Sequence, residues 1–154
     1  MIRILIDERG DGHDDIFLKV DSLPSFLQVA DLYFMSDFLK IDPNEIEKIP
    51  QELGIAYINY LKTQLSTLND KEKFIAFDLS DQYIGGLLVS KKKKGLLQIN
   101  YGITQKLSGF SINIDTIDNT LNETGPEFSR ERDWLLSYDN IIENLNWSID
   151  RINR

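Results

Sequence analysis

Isoleucine occupies every second position from residue 2 to residue 6, and this alternation predicts a strand with one buried face. A second short strand is predicted over residues 16–20. The segment between them, residues 7–15 with the sequence DERGDGHDD, is therefore expected in the loop of a hairpin.

Residues 23–40, LPSFLQVADLYFMSDFLK, fit two kinds of element. Pro24 after Asp21 or Ser22 is a suitable helix start, but the apolar residues do not gather on one helical face. Apolar residues at even-numbered positions fit a strand almost as well. We predict a helix here, with a strand as the alternative.

A second helix is marked by the sequence DPNE. Asp42 is a suitable N-cap, Pro43 fits the first helical position, and Glu45 completes a capping box. Apolar residues then fall on one helical stripe up to a predicted end near Asn69: Ile49, Leu53, Ala56, Tyr57, Tyr60, Leu61, Leu65 and Leu68. Pro50 lies inside this helix and predicts a kink or a break into two helices.

After this helix the apolar residues follow a period of two. The pattern predicts four antiparallel strands over residues 74–79, 83–90, 96–104 and 110–117. One face of such a sheet packs on a core and the other faces water. Gly85 and Gly86 fall inside the second of these strands and predict a bulge or a close backbone approach.

The remaining residues predict a loop and a helix. Residues 118–127 are polar and rich in turn formers, and one long helix is expected from about Ser129. Its apolar stripe contains Trp134, Leu135, Tyr138, Ile141, Ile142, Leu145, Ile149 and Ile152. The predicted order ββ–α–α–ββββ–α describes a single α+β domain, residues 1–154. It has an antiparallel sheet of about six strands, with helices packed mainly on one face.

Composition and charge narrow the possible functions. The chain has 154 residues and no cysteine, and no apolar run approaches the roughly 20 residues that span a bilayer. Because no signal peptide is recognisable, we expect a cytoplasmic protein that does not bind membranes. The formal net charge is −8, and the first 80 residues contain 15 acids and 8 bases. Such a chain repels nucleic acid and attracts a basic protein partner.

The acidic segment 7–15 matches no metal or catalytic motif. When the segment is aligned as an EF-hand loop from Asp7, Arg9 stands where an oxygen ligand is needed and Leu18 replaces the final glutamate. His13 is the only histidine of the chain, so a zinc site built from several histidines is excluded. No G-x-S-x-G sequence marks a nucleophile for which His13 could be the base. We therefore predict no catalytic residue, no metal and no cofactor.

The excess of acidic residues in the first half favours a protein-binding function. The predicted contacts are Asp11, Asp14 and Asp15, with Asp37 and Asp42 as a supporting charge ridge. Negative side chains at these positions would accelerate the association with a basic partner.

Leu136 and Trp147 form an alternative interface. On the predicted last helix they project together from its polar side, three turns apart. Tryptophan is strongly enriched in the hot spots of protein interfaces. We expect this pair either to be covered by another part of the domain or to bind a partner, including a second copy of the chain.

Taken together, these traits resemble the bacterial immunity proteins that neutralise a cognate toxin. The chain is small, acidic, free of cysteine, α+β and without a catalytic motif. The resemblance implies a tight complex in which acidic residues cover the basic surface of a toxin domain, often a nuclease. It extends to the type of protein and carries over no site residue.

Two other classes of function remain open. An adaptor or structural subunit would dock through its amphipathic helices, and its binding would not depend on the acidic segment. A small-molecule enzyme would use carboxylates on the polar face of the sheet, whose spacing the sequence does not reveal.

Overall fold

The computed structural model describes residues 1–7 and 16–154. Within these residues the chain has an α+β fold with seven strands in two antiparallel sheets. The α+β class is confirmed, whereas the single sheet of about six strands and the predicted element order are wrong.

The first sheet contains β1 (Ile2–Ile6), β2 (Ile16–Val20) and β3 (Phe26–Ala30), and the second contains β4 (Lys73–Leu79), β5 (Ile84–Lys91), β6 (Leu96–Thr104) and β7 (Ser129–Ser137). The α-helices are α1 (Leu32–Leu39), α2 (Ile49–Ser66), α3 (Ile117–Thr124) and α4 (Tyr138–Ile152).

The first sheet confirms the two strands predicted from the N-terminal alternation. Its strands pair in the order β1–β2–β3, and Ile4 lies opposite Leu18 with both side chains fully buried. Helix α4 covers the outer edge of β1, where the backbone N–H of Ile4 donates a hydrogen bond to Ser148 Oγ at 3.1 Å. A side chain of α4 thus accepts the hydrogen bond that a neighbouring strand would otherwise accept from this N–H.

Residues 23–40 contain both of the elements between which the sequence was ambiguous. A single helix over this segment is wrong, because residues 26–30 pair with β2 as strand β3. The helix begins only at Leu32, where the Asp31 carboxylate accepts a hydrogen bond from the backbone N–H of Tyr33 at 2.7 Å. Asp31, the N-cap of α1, therefore separates the strand from the helix within this segment.

The predicted helix over residues 42–69 is broken before Pro50. Asp42 caps only one 3₁₀ turn, Pro43–Glu45, by accepting a hydrogen bond from the backbone N–H of Asn44 at 2.9 Å. Helix α2 starts again at Ile49, so that Pro50 lies in its first turn, where a missing N–H costs no hydrogen bond. The break was one of the two outcomes that Pro50 predicted.

Strands β4, β5 and β6 confirm three of the four strands predicted for the second sheet. The glycine pair also behaves as predicted: the β4–β5 register shifts between Ala76 and Asp78, opposite Gly86 and Gly85. A side chain at Gly86 would collide with the backbone carbonyl of Ile75. Glycine is therefore required at position 86, where the backbone of β4 leaves no room for a side chain.

The fourth predicted strand, residues 110–117, is wrong. Residues 109–111 form a 3₁₀ turn, and the following backbone is held by side chains instead of a neighbouring strand. Asn113 Oδ1 accepts hydrogen bonds from the backbone N–H groups of Asp115 and Thr116, and Thr116 Oγ1 accepts one from the N–H of Asn113. Such turns compete with sheet pairing. The loop predicted over residues 118–127 is also wrong in its first part, which is helix α3.

The long helix predicted from Ser129 begins only at Tyr138. Residues 129–137 form β7, which pairs with β6 and places Trp134 opposite Ile99. Trp134 is buried, and its indole Nε1 donates a hydrogen bond to the carbonyl of Pro24 at 2.8 Å. The apolar residues where β7 meets α4 fit the sequence pattern of a strand and that of a helix. Pairing with β6 therefore decides that residues 129–137 form a strand.

The first sheet and α2 both pack against the second sheet. Phe26 of β3 contacts Tyr101 of β6 with ring centroids 4.8 Å apart, and Tyr57 of α2 contacts Phe77 of β4 at 5.2 Å. Buried residues from both sheets and from the helices form one hydrophobic core. None of the helices in the described part of the chain has the length and apolar character needed to cross a bilayer.

Candidate functional site

The structure brings together two of the predicted contact residues, Asp37 and Asp42. Both are exposed and line one groove, which runs between α1 and residues 110–120. Asp11, Asp14 and Asp15 lie outside the described residues.

Leu136 and Trp147 do not lie on one helical ridge as predicted. Leu136 belongs to β7, is half-buried and packs against the core, whereas Trp147 lies on α4 with 44% of its surface exposed. The guanidinium of Arg3 lies 5.0 Å from the centre of the Trp147 ring, within the range of a cation–π contact. The two side chains do not share a helical ridge, because Leu136 lies in β7 and α4 begins only at Tyr138.

The acidic groove, defined by Tyr33, Asp37, Asp42 and Phe110, has a volume of about 820 Å³. Tyr33 and Asp37 are four residues apart on α1 and therefore point to the same side of the helix. At the end of α1, Lys40 adopts a left-handed conformation with φ of 58°, which reverses the chain direction. This turn is how Asp42 comes to line the same groove as Asp37.

The opposite wall is fixed to α1 by backbone and ring contacts. The N–H of Ile114 donates a hydrogen bond to the carbonyl of Phe38 at 2.9 Å. The Phe110 ring contacts Phe34 with centroids 5.1 Å apart, next to Gly109, where an added Cβ would lie 2.7 Å from Phe34 Cδ1. The wall thus depends on a glycine that lets the two rings meet.

Exposed aromatic rings flank the acidic side chains. Tyr33 contacts Phe34 edge-on at 5.4 Å, so Tyr33, Phe34 and Phe110 form a continuous row of rings. The outer two rings are 66% and 61% exposed. Sequence reasoning missed Tyr33 and Phe110 because apolar alternation does not reveal which rings tertiary packing leaves uncovered.

The electrostatic balance of the groove is negative. The charged side chains that line it are two carboxylates, Asp37 and Asp42, and one lysine, Lys40. Lys40 Nζ lies 2.7 Å from Asp115 Oδ2, and this hydrogen bond and charge raise the pKa of Lys40. Asp115 thus compensates the lysine, whereas the Asp37 carboxylate has no hydrogen-bond or ion-pair partner among the described residues. A cation entering the groove meets an excess of negative charge.

Asp78 is a buried carboxyl group outside the groove. It is 5% exposed, and its Oδ2 accepts hydrogen bonds from Gln28 Nε2 at 2.6 Å and from Tyr83 OH at 2.8 Å. Burial raises the pKa of Asp78, although these two hydrogen bonds oppose the shift. Because its contacts connect β3 with β4 and with the turn that precedes β5, we assign Asp78 a structural role.

Within residues 1–7 and 16–154, no three Asp, Glu or His side chains are grouped so that they could hold a metal ion.

Comparison with known proteins gives no relative: no family model, no curated protein and no solved structure matches the chain.

Proposed function

We propose that this protein is an immunity-type inhibitor that binds and neutralises a cognate basic toxin domain through the acidic groove. The observation that carries the proposal is the combination found there: acidic side chains, one of them without a partner in the described chain, beside two exposed aromatic rings. Protein interfaces combine these same features, because charge directs the encounter and aromatic side chains supply the binding energy.

The balance of charge explains how such binding would inhibit. A nuclease domain binds its phosphate backbone through lysine and arginine side chains. A protein with a net charge of −8 is attracted to that surface, and a complex formed there excludes the nucleic acid. Asp11, Asp14 and Asp15 stay predicted contacts.

A second function, that of an adaptor, is favoured by the outer face of the first sheet. Leu5, Phe17 and Val29 lie side by side across its three strands, and Leu27 and Val29 are 55% and 37% exposed. Such a face suits docking to another protein without charge steering. Salt-insensitive binding that is lost in Leu27→Ser, with the acidic groove intact, would support the adaptor over the inhibitor.

The test starts from the genomic neighbour, since an immunity gene lies directly after the gene of its toxin. The protein is expressed with the product of the gene directly upstream, and association and dissociation rates are measured at low and high salt. We expect nanomolar binding that weakens as salt rises. The absence of any complex would contradict the inhibitor proposal.

The position of the interface is tested with charge-matched double variants. Asp37→Asn with Asp42→Asn removes two charges from the groove, whereas Glu143→Gln with Asp150→Asn removes two exposed charges from α4. We expect about a tenfold or greater loss of affinity for the first pair and less than about twofold for the second, since charges at the contact count most. Equal losses would show that net charge matters and the groove does not.

A further inference from the structure

A second depression of different chemistry lies next to the acidic groove. Ile41 lines both, and the second depression, about 290 Å³ in volume, is walled by apolar side chains. We call it the apolar cleft and define it by Leu39, Ile41, Ala56, Tyr60 and Ile114.

Three parts of the chain build the apolar cleft. Leu39 and Ile41 lie at the end of α1, and Ala56 and Tyr60 are one helical turn apart on α2. Ile114 closes it, held by the hydrogen bond from its N–H to the carbonyl of Phe38. The other lining side chains, from Asn59, Thr63 and Gln64, are polar and uncharged, so no charged residue among 1–7 and 16–154 lines the cleft.

We propose that the groove and the cleft together form a two-anchor site for a partner segment with an arginine beside an aliphatic residue. The inference rests on the proposed function and names the recognition element of its partner. The guanidinium would lie by Asp37 and Asp42, and a leucine-sized or isoleucine-sized side chain would fill the cleft.

Charge complementarity selects the first anchor. The groove is negative because Asp115 already compensates Lys40, so an incoming cation is not repelled by that lysine. Arginine fits better than lysine because its planar group both pairs with a carboxylate and stacks on an aromatic face. The exposed rings of Tyr33 and Phe110 offer such faces next to the carboxylates.

The lining of the cleft selects the second anchor. A charged or strongly polar side chain would lose hydration there without gaining an ionic partner, whereas an aliphatic side chain gains from burial. Because Ile41 lines both depressions, they are close enough for one short segment to occupy both.

Short peptides test this recognition directly on the whole protein. The probes are acetyl-Arg-Leu-amide and its versions with one or two glycines between the anchors, titrated into ¹⁵N-labelled protein. We expect one spacing to shift the amide signals of both Asp37 and Ala56. That peptide should bind about fivefold or more tightly than the same peptide with alanine for leucine or with glutamate for arginine. Equal binding of all peptides, or shifts elsewhere on the protein, would overturn the inference.

Two variants separate the anchors. Ala56→Leu fills the cleft from a half-buried position and should abolish the preference for leucine while keeping the preference for arginine; Ala56→Ser is the control that leaves the cleft open. Asp37→Asn with Asp42→Asn should have the reverse effect. Failure of either selective loss would overturn the two-anchor site.

The same variants keep this inference distinguishable from the proposed function. If the upstream gene product binds but Ala56→Leu does not weaken it by about tenfold, the two-anchor site is wrong and the inhibitor proposal stands. If the peptides behave as expected but no toxin complex forms, the recognition site stands and the inhibitor proposal fails.

Discussion

The side-chain amide of Gln28 donates a hydrogen bond to Asp78 Oδ2 at 2.6 Å and thereby joins the first sheet to the second. The hydroxyl of Tyr83 donates to the same oxygen at 2.8 Å. A nearly buried carboxyl group therefore holds together strand β3, strand β4 and the turn between β4 and β5. Its protonation state must affect the stability of the whole fold.

We expect Asp78→Asn to change how stability depends on pH. Burial raises the pKa of Asp78 above its ordinary value of 3.8, so the folded state binds this proton more tightly than the unfolded state does. The contribution of Asp78 to stability is then fully present below that value and is lost as pH rises through the folded pKa. Asparagine keeps an acceptor and has no such loss.

Urea unfolding of the wild type and Asp78→Asn between pH 3 and pH 7 measures the difference. The free energy of unfolding of the variant should increase relative to the wild type as pH rises. Asp81→Asn, an exposed change of the same charge, is the control. A difference between Asp78→Asn and wild type that is constant or falls with pH would contradict the prediction.

Ser148→Ala should destabilise the protein through the edge of β1. The Ser148 hydroxyl is fully buried, accepts from the N–H of Ile4 and donates to the carbonyl of Asn144 at 3.0 Å. Alanine leaves a buried N–H without a partner, which costs about 1–3 kcal/mol. Ser66 also donates to a carbonyl of its own helix but is exposed, so Ser66→Ala should change stability by less than about 0.5 kcal/mol. Chemical denaturation compares the two, and equal effects would contradict the role of Ser148.

Lys40→Gly should be more stable than Lys40→Ala. Lys40 has φ of 58° and ψ of 42°, a left-handed conformation that costs a residue with a side chain about 1–2 kcal/mol. Both variants lose the exposed ion pair with Asp115, so their difference isolates the backbone effect, which we expect to be about 1 kcal/mol in favour of glycine. Denaturation midpoints of the two proteins provide the measurement, and a more stable alanine variant would refute the left-handed turn.

Removing the exposed rings should weaken binding without unfolding the protein. If the proposed function holds, Tyr33→Ala and Phe110→Ala should each lower affinity for the product of the upstream gene about tenfold, which corresponds to about 1.4 kcal/mol. Leu135 on β7 is 59% exposed and provides a matched apolar control outside the groove. Calorimetry gives the affinities, and thermal unfolding shows whether the variants stay folded. If Leu135→Ala is as damaging, the rings have no special role.

Elements with an unambiguous local signal were predicted well from the sequence. The alternation in β1 and β2, and the strands from Phe74 to Thr104, follow from residues within each element. The stripe of α2 was likewise visible, and Pro50 indicated where it could break. In these segments the local pattern and the final packing agree.

The wrong elements are those whose structure depends on distant residues. Residues 110–117 alternate like a strand, but the side chains of Asn113 and Thr116 hold the backbone in turns. Residues 129–137 become a strand because β6 offers an edge with which they pair. Neither contact is visible in a local window of sequence.

The acidic residues of the candidate site were predicted from the sequence, whereas its exposed aromatic rings were not. Asp37 and Asp42 were identified from the excess of acidic residues, and the structure places them in one groove. Phe110 was assigned to a predicted strand and Tyr33 was not singled out, and only the packing of α1 against residues 110–116 leaves their rings exposed. The exposure of an aromatic ring is a tertiary property, so no local pattern could have supplied it.

The contact between Ile4 and Ser148 also sets an order of events during synthesis. The two residues are 144 positions apart, and a ribosome adds about 5–20 residues per second, so β1 leaves the ribosome on the order of 10 seconds before α4 does. Throughout that interval the outer edge of β1 has no internal partner for the N–H of Ile4. Until α4 has been synthesised, the edge of β1 in a nascent chain is therefore free to pair with other strands. Molecular chaperones would have to bind this edge during the same interval to prevent such pairing.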